Sequence, residues 1–369
     1  MIDSFLPCSY TDAMKIEKRS RHLEREAWEI WDKKAKPQLS LGRLESLAVE
    51  IVSMCGSLRP QLGRPALLLF ASDHGIWQAG VSSSPQEITW QQCVNFAHGG
   101  GAIGLMCREN GLDLRVIDMG VNYDFDIALG IVNRKIAYST ANFAHQKALS
   151  REQLELALEA GKGEVQRCHA EGVSTIAFGE MGVGNTASAS ALMASLTGYS
   201  VEACTGKGAG LSAEGLNHKC RVLSAALDFH GKIEDPLEVL QTFGGFEIAA
   251  IVGGMLQAAS LKKVILVDGF ITSIAALIAI KIDEAVKDYL IFCHESKESG
   301  HALLLKYMEV TPLLSLSMCL GEGSGAALAW LIIKQAMTLF LEMTPFEEAA
   351  VTDSVALLKK QGVDRHAQQ

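Results

Sequence analysis

Two glycine-rich segments of this chain carry the residues best suited to chemistry. Residues 176–186 and 316–326 each contain a short apolar run, a Gly-Glu pair and further glycines, and each leads into an alanine-rich stretch. Such apolar runs are typical of buried parallel strands, and ligands bind beyond the carboxyl ends of these strands. We therefore predict that Glu180 and Glu322 face one cleft.

The glycines, and the helices expected after them, indicate the kind of ligand. Glycine lets the backbone approach a ligand closely, and the first turn of a helix offers unpaired N–H groups and a positive dipole end to a phosphate. A carboxylate held nearby can accept a proton. The pattern predicts an enzyme site for a phosphorylated substrate that needs a base.

The composition excludes several classes of protein. The 369 residues are 49% apolar and carry a net charge of −9 without a dense Lys/Arg block, which argues against nucleic acid or an anionic membrane as the partner. The longest apolar stretch, residues 326–340, is too short for a bilayer span and contains Lys334. The nine cysteines form no C-x-x-C pair, and no basic n-region with an apolar h-region opens the chain. We expect a soluble cytoplasmic protein with reduced thiols.

Helical periodicity dominates the first 60 residues. Residues 11–33 predict a charged helix with Leu23, Ala27 and Ile30 or Trp31 on one stripe. A second stripe consists of Leu44, Leu47, Ala48, Ile51 and Cys55. Residues 36–45, between the two helices, are interpreted as a turn with a function.

From Pro65 onward, short apolar runs alternate with helical stretches. The predicted strands are residues 66–71, 114–119, 131–138, 175–178, 264–267, 289–292 and 313–319. This alternation predicts an α/β fold with a mostly parallel sheet and helices on both faces. Ser150 and Gln153 predict a capping box that begins a helix running toward Glu171. The flanking helical segments predict a small helical domain of residues 1–60 and 345–369 beside a large domain of residues 61–344.

Five motifs carry a resemblance to a known family. They are Ser72-Asp73-His74-Gly75, residues 80–87, residues 179–186, Val267-Asp268-Gly269-Phe270 and residues 320–328. In this order they resemble the nicotinate-nucleotide:5,6-dimethylbenzimidazole phosphoribosyltransferase family, which activates the lower-ligand base of cobamides. The resemblance implies a Rossmann-like large domain, no cofactor, no metal, and a dimer with active sites near the subunit interface.

The resemblance also implies roles for three carboxylates. Glu322 corresponds to the general base, which accepts the proton of the attacking base. Glu180 corresponds to a residue beside the ribose and the neighbouring glycine-rich loop, and Asp268 also reaches the edge of the cleft. The candidate roles of both are hydrogen bonds to substrate hydroxyls or holding Glu322 in place. The alternative for Glu322 is an ordinary loop or capping glutamate, and strand-end carboxylates such as Glu180 and Asp268 can simply cap the following helix.

The same resemblance assigns the two ends of the substrate site. The phosphate and ribose candidates are Gly182, Val183, Gly184, Asn185, Gly208, Lys219 and Ser296. The candidates for lining the pocket of the aromatic base are Ser84, Gln92, Met181 and Leu320. Taken alone these signals are weak, because a lone lysine is usually a surface charge and neither glycine run fits a Walker pattern. Histidines at suitable spacing for a metal are lacking.

Two departures from the family pattern concern the acceptor. Gln38-Leu39 replaces proline-like and glycine positions, so the loop is not expected to follow the family backbone path if that path needs positive φ. Trp90 places a bulky side chain where small residues are common, near the presumed base site. Leu39 and Trp90 both replace smaller residues near this site, and added bulk trims a pocket, so we expect a shift toward smaller acceptors such as phenol or p-cresol.

Some relatives in this family work as pairs of paralogous subunits, so the partner is either a second copy or a paralogue. One alternative function is therefore a catalytically weak paralogue that supports an active partner. A generic nucleotide-binding hydrolase is a further alternative. The absence of a Walker lysine and of metal ligands from this sequence argues against it. The presence of Glu180, Lys219, Asp268, Ser296 and Glu322 argues against a silent subunit.

Overall fold

The computed structural model of the chain describes residues 15–208 and 210–360. Its strands are β1 Ala66–Ser72, β2 Asp113–Gly120, β3 Val132–Asn133, β4 Thr175–Met181, β5 Val264–Val267 and β6 Leu290–Phe292. Its helices are α1 Arg21–Lys33, α2 Arg43–Cys55, α3 Ile88–Ala97, α4 Gly101–Asn110, α5 Arg151–Ala170, α6 Asn185–Thr197, α7 Val201–Cys204, α8 Ala213–His230, α9 Pro236–Phe243, α10 Phe246–Ser260, α11 Phe270–Ile282, α12 His301–Tyr307, α13 Ser324–Glu342, α14 Phe346–Ala349 and α15 Ser354–Lys360.

The six strands form one sheet in the order β3-β2-β1-β4-β5-β6, and every neighbouring pair is parallel. The predicted α/β class with a parallel sheet and helices is confirmed. The strand order reverses direction between β1 and β4, and ligands of open α/β sheets bind beyond the carboxyl ends of the strands at such a point. The register there pairs Phe70 with Glu180. The first Gly-Glu pair thus lies at the position where the fold favours a ligand.

Apolar sequence explains why the central elements are buried. All seven residues of β1 are buried, and so are the four residues of β5. Helix α10 is buried along nearly its whole length and packs beside α5. The predicted capping box begins α5: the Ser150 hydroxyl accepts the Gln153 N–H, and the Gln153 side chain accepts the Ser150 N–H. The capping-box residues therefore predicted the N-terminal end of this helix correctly.

The described chain forms two compact units. One contains residues Leu62–Leu328, including the whole sheet; the other contains Lys18–Gln61 and the chain from Ala329 onward. In the second unit the Trp31 and Phe340 rings meet edge to face at a centroid distance of 5.4 Å. Helix α13 runs through the boundary at residue 328. The predicted division into a helical domain of residues 1–60 and 345–369 and a large domain of residues 61–344 stays a proposal.

The predicted strand at residues 313–319 is wrong. Leu313 and Leu314 donate to the carbonyls of Phe292 and Cys293, but regular pairing then ends and Ser317 adopts a φ of 56°. Leu316 is 57% exposed, so this apolar run lies at the surface instead of inside the sheet. The strand was predicted from the apolar residues of this segment, and these residues are not buried in the sheet.

The predicted strand at residues 131–138 is far too long, because β3 contains only two residues. Arg134 and Ile136 still donate to the carbonyls of Asp118 and Met119, but the regular ladder is lost. A strand at the edge of a sheet has only one neighbour to hold it in register. The chain then turns at Ser139, where φ is 70°.

The first predicted helix begins later than expected. Helix α1 begins at Arg21, where the Ser20 hydroxyl accepts the Leu23 N–H and caps the first turn. Residues 15–20 are not helical, and residues 11–14 lie outside the described residues. The second predicted stripe is confirmed, since all its members lie on α2.

Leu39 lies in the loop before α2. The expectation that a loop without glycine here avoids positive φ is wrong. Leu39 adopts a φ of 59°, so the loop takes a left-handed residue at this position although glycine is absent. Such a conformation costs a non-glycine residue about 1–2 kcal/mol. A buried ion pair of 2.9 Å between Lys36 and Glu45 holds this loop, and the same Glu45 carboxylate accepts the Leu41 N–H.

Helix α13 is, by length and composition, the one described helix that could cross a membrane. It is longer than the apolar stretch recognised in the sequence. However, 56% of its most apolar stretch is buried inside the protein, which is the behaviour of a core helix. The Lys334 ammonium on this helix lies over the Trp330 ring, 5.9 Å from its centroid.

Candidate active site

A cavity of about 270 Å³ lies in the first unit, at the carboxyl end of β4. All predicted site residues except Asp268 and Lys219 line it, namely Ser84, Gln92, Glu180, Met181, Gly182, Val183, Gly184, Asn185, Gly208, Ser296, Leu320 and Glu322. Five further lining residues belong to the family motifs quoted above but were not assigned to the site, namely Ser82, Thr186, Gly269, Phe270 and Gly321. Five others lie outside those motifs, namely Ile88, Ile271, Thr272, Glu298 and Cys319. The glutamates of both Gly-Glu pairs thus line one cavity.

The two Gly-Glu pairs contact each other directly. The Glu322 N–H donates to Glu180 Oε1 at 3.4 Å. A Cβ atom on Gly179 would lie only 2.5 Å from the Glu322 carbonyl oxygen, so only glycine permits this approach. The predicted shared cleft is therefore present, although the second pair follows an irregular segment and not a strand.

Asp268 holds the Glu322 loop from behind. Its Oδ1 accepts the N–H groups of Gly325 at 2.6 Å and Ala326 at 3.2 Å, and its Oδ2 accepts the Gly323 N–H at 3.0 Å. Asp268 follows β5, is 1% exposed and does not line the cavity. It acts as an anchor for the first turn of α13 and not as a group that faces the ligand.

Glu322 has a left-handed backbone conformation and a carboxyl group with a raised pKa. Its φ of 64° is a left-handed conformation that non-glycine residues seldom adopt, and such strain clusters at functional sites. The residue is 8% exposed, and burial together with the nearby Asp268 charge raises the pKa of its carboxyl to about 7. A carboxyl with this pKa can take up a proton near neutral pH.

Glu180 is more deeply buried than Glu322. One carboxylate oxygen accepts the Asn185 side-chain amide, and the other accepts the Glu322 N–H. Burial, together with the charges of Asp268 and Glu247, raises the pKa of Glu180 well above its usual range. Burial also raises the pKa of Asp268, whereas His294 lowers it. The neighbouring carboxyl groups thus add to the effect of burial on the pKa of Glu180.

The glycine-rich loop after β4 forms a second part of the cavity wall. It leads into α6, whose first turn begins at Asn185, so the positive end of this helix dipole faces the cavity. Ser296 approaches the cavity from another loop, and its N–H donates to His301 Nδ1 at 2.8 Å. Burial lowers the pKa of His301 to about 3, so its ring is neutral and this nitrogen can accept.

Lys219 is buried behind this wall and reaches it through Thr186. Its Nζ donates to Thr186 Oγ1 at 3.1 Å and to the Gly206 carbonyl at 3.5 Å. Burial lowers the pKa of Lys219 to about 8, and the Glu298 carboxylate opposes this shift. Glu298 itself lines the cavity, and no local pattern marked it in the sequence.

The other end of the cavity has apolar and polar walls. Met181, Leu320, Ile88 and Phe270 offer apolar surface, while the predicted Ser84 and Gln92 add polar groups, as expected for a small-molecule pocket. Trp90 does not line the cavity: its ring stacks on Tyr123 with a centroid distance of 4.4 Å. The expectation that Trp90 narrows this pocket is therefore wrong, because the side chain points to a different neighbour.

Comparisons with known proteins agree with this geometry. A family model described as Phosphoribosyltransferase matches residues 16–351. The nicotinate-nucleotide–dimethylbenzimidazole phosphoribosyltransferase of Bacteroides fragilis is 44% identical over 86% of this chain and 92% of its own length. The protein of the same name from Dechloromonas aromatica is 46% identical over 87% of this chain and 93% of its own length.

A solved structure is also similar. The enzyme of the same name from Thermus thermophilus superposes with a TM-score of 0.85 at 37% identity, covering 90% of this chain and 99% of its own. The residues matched by the family model include the whole sheet and both Gly-Glu pairs. The chain belongs to the nicotinate-nucleotide–dimethylbenzimidazole phosphoribosyltransferase family and is a pentosyltransferase.

Proposed function

We propose that this enzyme transfers the phosphoribosyl group of nicotinate mononucleotide to the lower-ligand base of a cobamide and releases nicotinate. The observation that carries this proposal is the position of Glu322, whose carboxyl has a pKa of about 7 and faces the same cavity as the glycine-rich helix start. A base and a phosphate site that face one cavity are what this transfer requires.

The chemistry needs few groups from the protein. The pyridinium of nicotinate mononucleotide is already a good leaving group at the anomeric carbon. A ring nitrogen of the incoming base forms the new bond to this carbon as the bond to nicotinate breaks, and Glu322 takes the N–H proton. Glu180 lies beside it, and its carboxyl oxygens favour positive charge that develops on the ribose.

The initial rate of nicotinate release tests this proposal. We expect release to depend on both nicotinate mononucleotide and 5,6-dimethylbenzimidazole, because the leaving group departs as the acceptor attacks. A catalytically weak paralogue, the alternative for this chain, would release none until its partner is added. Continued absence of release with every acceptor would contradict the proposal.

The pH dependence of kcat/KM should be bell-shaped. Glu322 must be deprotonated to act as a base, so activity should rise with pH through about 7. Lys219 must be charged to attract the phosphate, so activity should fall above about 8. The Glu322→Gln variant should lack the rise and Lys219→Ala should lack the fall. A flat profile between pH 6 and 9 would remove both assignments.

Lys219→Ala should weaken the binding of nicotinate mononucleotide. Loss of a charged hydrogen-bonding group behind Thr186 is expected to cost about 1–3 kcal/mol of binding free energy. Isothermal titration calorimetry measures this change, and Lys232→Ala provides the control because Lys232 is exposed and pairs with the nearby Glu234. Equal affinities in the two variants would place the phosphate elsewhere.

The acceptor is proposed to be an aromatic base such as 5,6-dimethylbenzimidazole, with phenol or p-cresol as smaller alternatives. Trp90 does not enter the cavity. The shape of the cavity alone should therefore make the kcat/KM values of these acceptors differ by roughly 10 to 200-fold. In a competition assay we expect both products, with the benzimidazole product in excess. Exclusive formation of a phenolic product would show that a different wall selects the acceptor.

Two further proposals concern the cellular form of the enzyme. A dimer, of two copies or with a paralogue, would cover exposed apolar side chains such as Leu316 and Leu320, which are 57% and 51% exposed. A cytoplasmic location fits the eight described cysteines, all of which carry free thiols. Sedimentation analysis of the purified protein measures the first of these directly.

A further inference from the structure

A buried hydrogen-bond relay lies behind the two substrate ends of the cavity. The Val183 N–H donates to Thr89 Oγ1 at 3.0 Å, and the Thr89 hydroxyl donates to Asp73 Oδ1 at 2.7 Å. The second oxygen of Asp73 accepts the Asn122 N–H at 2.8 Å. Thr89 and Asp73 are 0% and 1% exposed, and neither lines the cavity.

The direction of each hydrogen bond is fixed by its donors. A backbone N–H can only donate, so the Thr89 oxygen must accept from Val183 and its hydrogen is free to point to Asp73. The Asp73 backbone is itself tied to β2 through the Gly120 carbonyl and to the Thr140 N–H. Thr89 is thus held by a rigid acceptor at the end of β1.

The relay joins two elements with different tasks. Helix α3 carries Thr89 and also Ile88 and Gln92, which line the acceptor end of the cavity. Val183 belongs to the glycine-rich loop that forms the phosphate end. The hydroxyl of Thr89 is therefore a direct polar link between the wall that holds the acceptor and the wall that holds the phosphoribosyl group.

We propose that Thr89 is a positioning residue that fixes the spacing of helix α3 and the glycine-rich loop, with Asp73 orienting its hydroxyl. The proposal rests on the transfer reaction proposed above. Transfer requires the attacking atom and the anomeric carbon to be held in contact, and a misplacement of about 1 Å can cost roughly 100-fold in rate. The relay supplies this constraint without touching either substrate.

The test compares Thr89→Val, which keeps the shape and loses the hydroxyl, with Thr89→Ser, which keeps the hydroxyl. We expect kcat per active site to fall roughly 100-fold in Thr89→Val, while KM for either substrate changes far less and Thr89→Ser keeps most of the activity. Thr242→Val is the matched control, because Thr242 is equally buried and its hydroxyl donates within its own helix, to the Glu238 carbonyl. If Thr89→Val does not fold, Thr89→Ala takes its place with the same expectation.

Hydrogen exchange at the Val183 amide gives a second readout that needs no substrate. Exchange should accelerate in Thr89→Val and stay slow in Thr89→Ser and Thr242→Val. Wild-type kcat in Thr89→Val, or an equal loss in Thr89→Ser or Thr242→Val, would overturn the positioning role. Absence of transfer by the wild-type enzyme would instead contradict the proposed function, and slow exchange at Val183 would still establish the hydrogen bond.

Discussion

Replacing Glu322 by glutamine should reduce kcat by about 100-fold or more, the usual scale for loss of a general base. The amide keeps the size of the side chain and cannot accept the proton of the incoming base. Nicotinate mononucleotide should still bind, because the glycine-rich loop and Lys219 are untouched. Stopped assays and calorimetry on the same preparation measure the two quantities, and near-normal turnover would remove Glu322 from this role.

The same substitution should stabilise the protein at alkaline pH. The pKa of Glu322 is about 7 in the folded protein, above its ordinary value of 4.5, so the folded state holds the proton more tightly. The resulting stability is present at low pH and is lost as pH rises through about 7, by up to about 3 kcal/mol. Glu322→Gln removes this loss, so its melting temperature should exceed the wild-type value at pH 8 and match it below pH 4.5.

Asp268→Asn should have the second largest effect on turnover. Asp268 accepts three backbone N–H groups of the Glu322 loop, whereas asparagine turns one of its two oxygens into a donor. A buried N–H without an acceptor costs about 1–3 kcal/mol of stability. The loop that carries Glu322 should shift, and kcat should fall by roughly 100-fold.

A pH profile separates this effect from simple destabilisation. The Asp268 charge raises the pKa of Glu322, so the acidic limb of the Asp268→Asn profile should move to lower pH. Asp235→Asn is a suitable control, since Asp235 caps α9 and asparagine caps a helix equally well. An unchanged acidic limb in Asp268→Asn would contradict the electrostatic link between these two carboxyl groups.

Much of the fold followed from the sequence because short apolar runs alternate with helical stretches along the chain. The runs at β1, β4 and β5 consist mainly of apolar residues, a pattern typical of strands buried on both faces. Residues 313–319 are less uniformly apolar, because Ser315 and Ser317 interrupt the run, and this segment lies at the surface. The position of Glu322 was nevertheless correct, because Asp268 anchors its loop to the end of β5.

The site was less predictable where side-chain direction decides the outcome. Trp90 and Gln92 lie two residues apart on α3, yet only Gln92 lines the cavity. Lys219 acts through Thr186, a contact between residues far apart in sequence. Glu298 and the Thr89 relay also depend on long-range packing, and no spacing in the sequence encodes them.

The most direct measurement is the joint quantitation of nicotinate and the riboside phosphate in one quenched reaction of the wild-type enzyme. With nicotinate mononucleotide and 5,6-dimethylbenzimidazole present, we expect the two products in equal amounts, and neither product when the acceptor is omitted. Nicotinate formed without riboside phosphate would identify a hydrolase and contradict transfer between the two walls of the cavity.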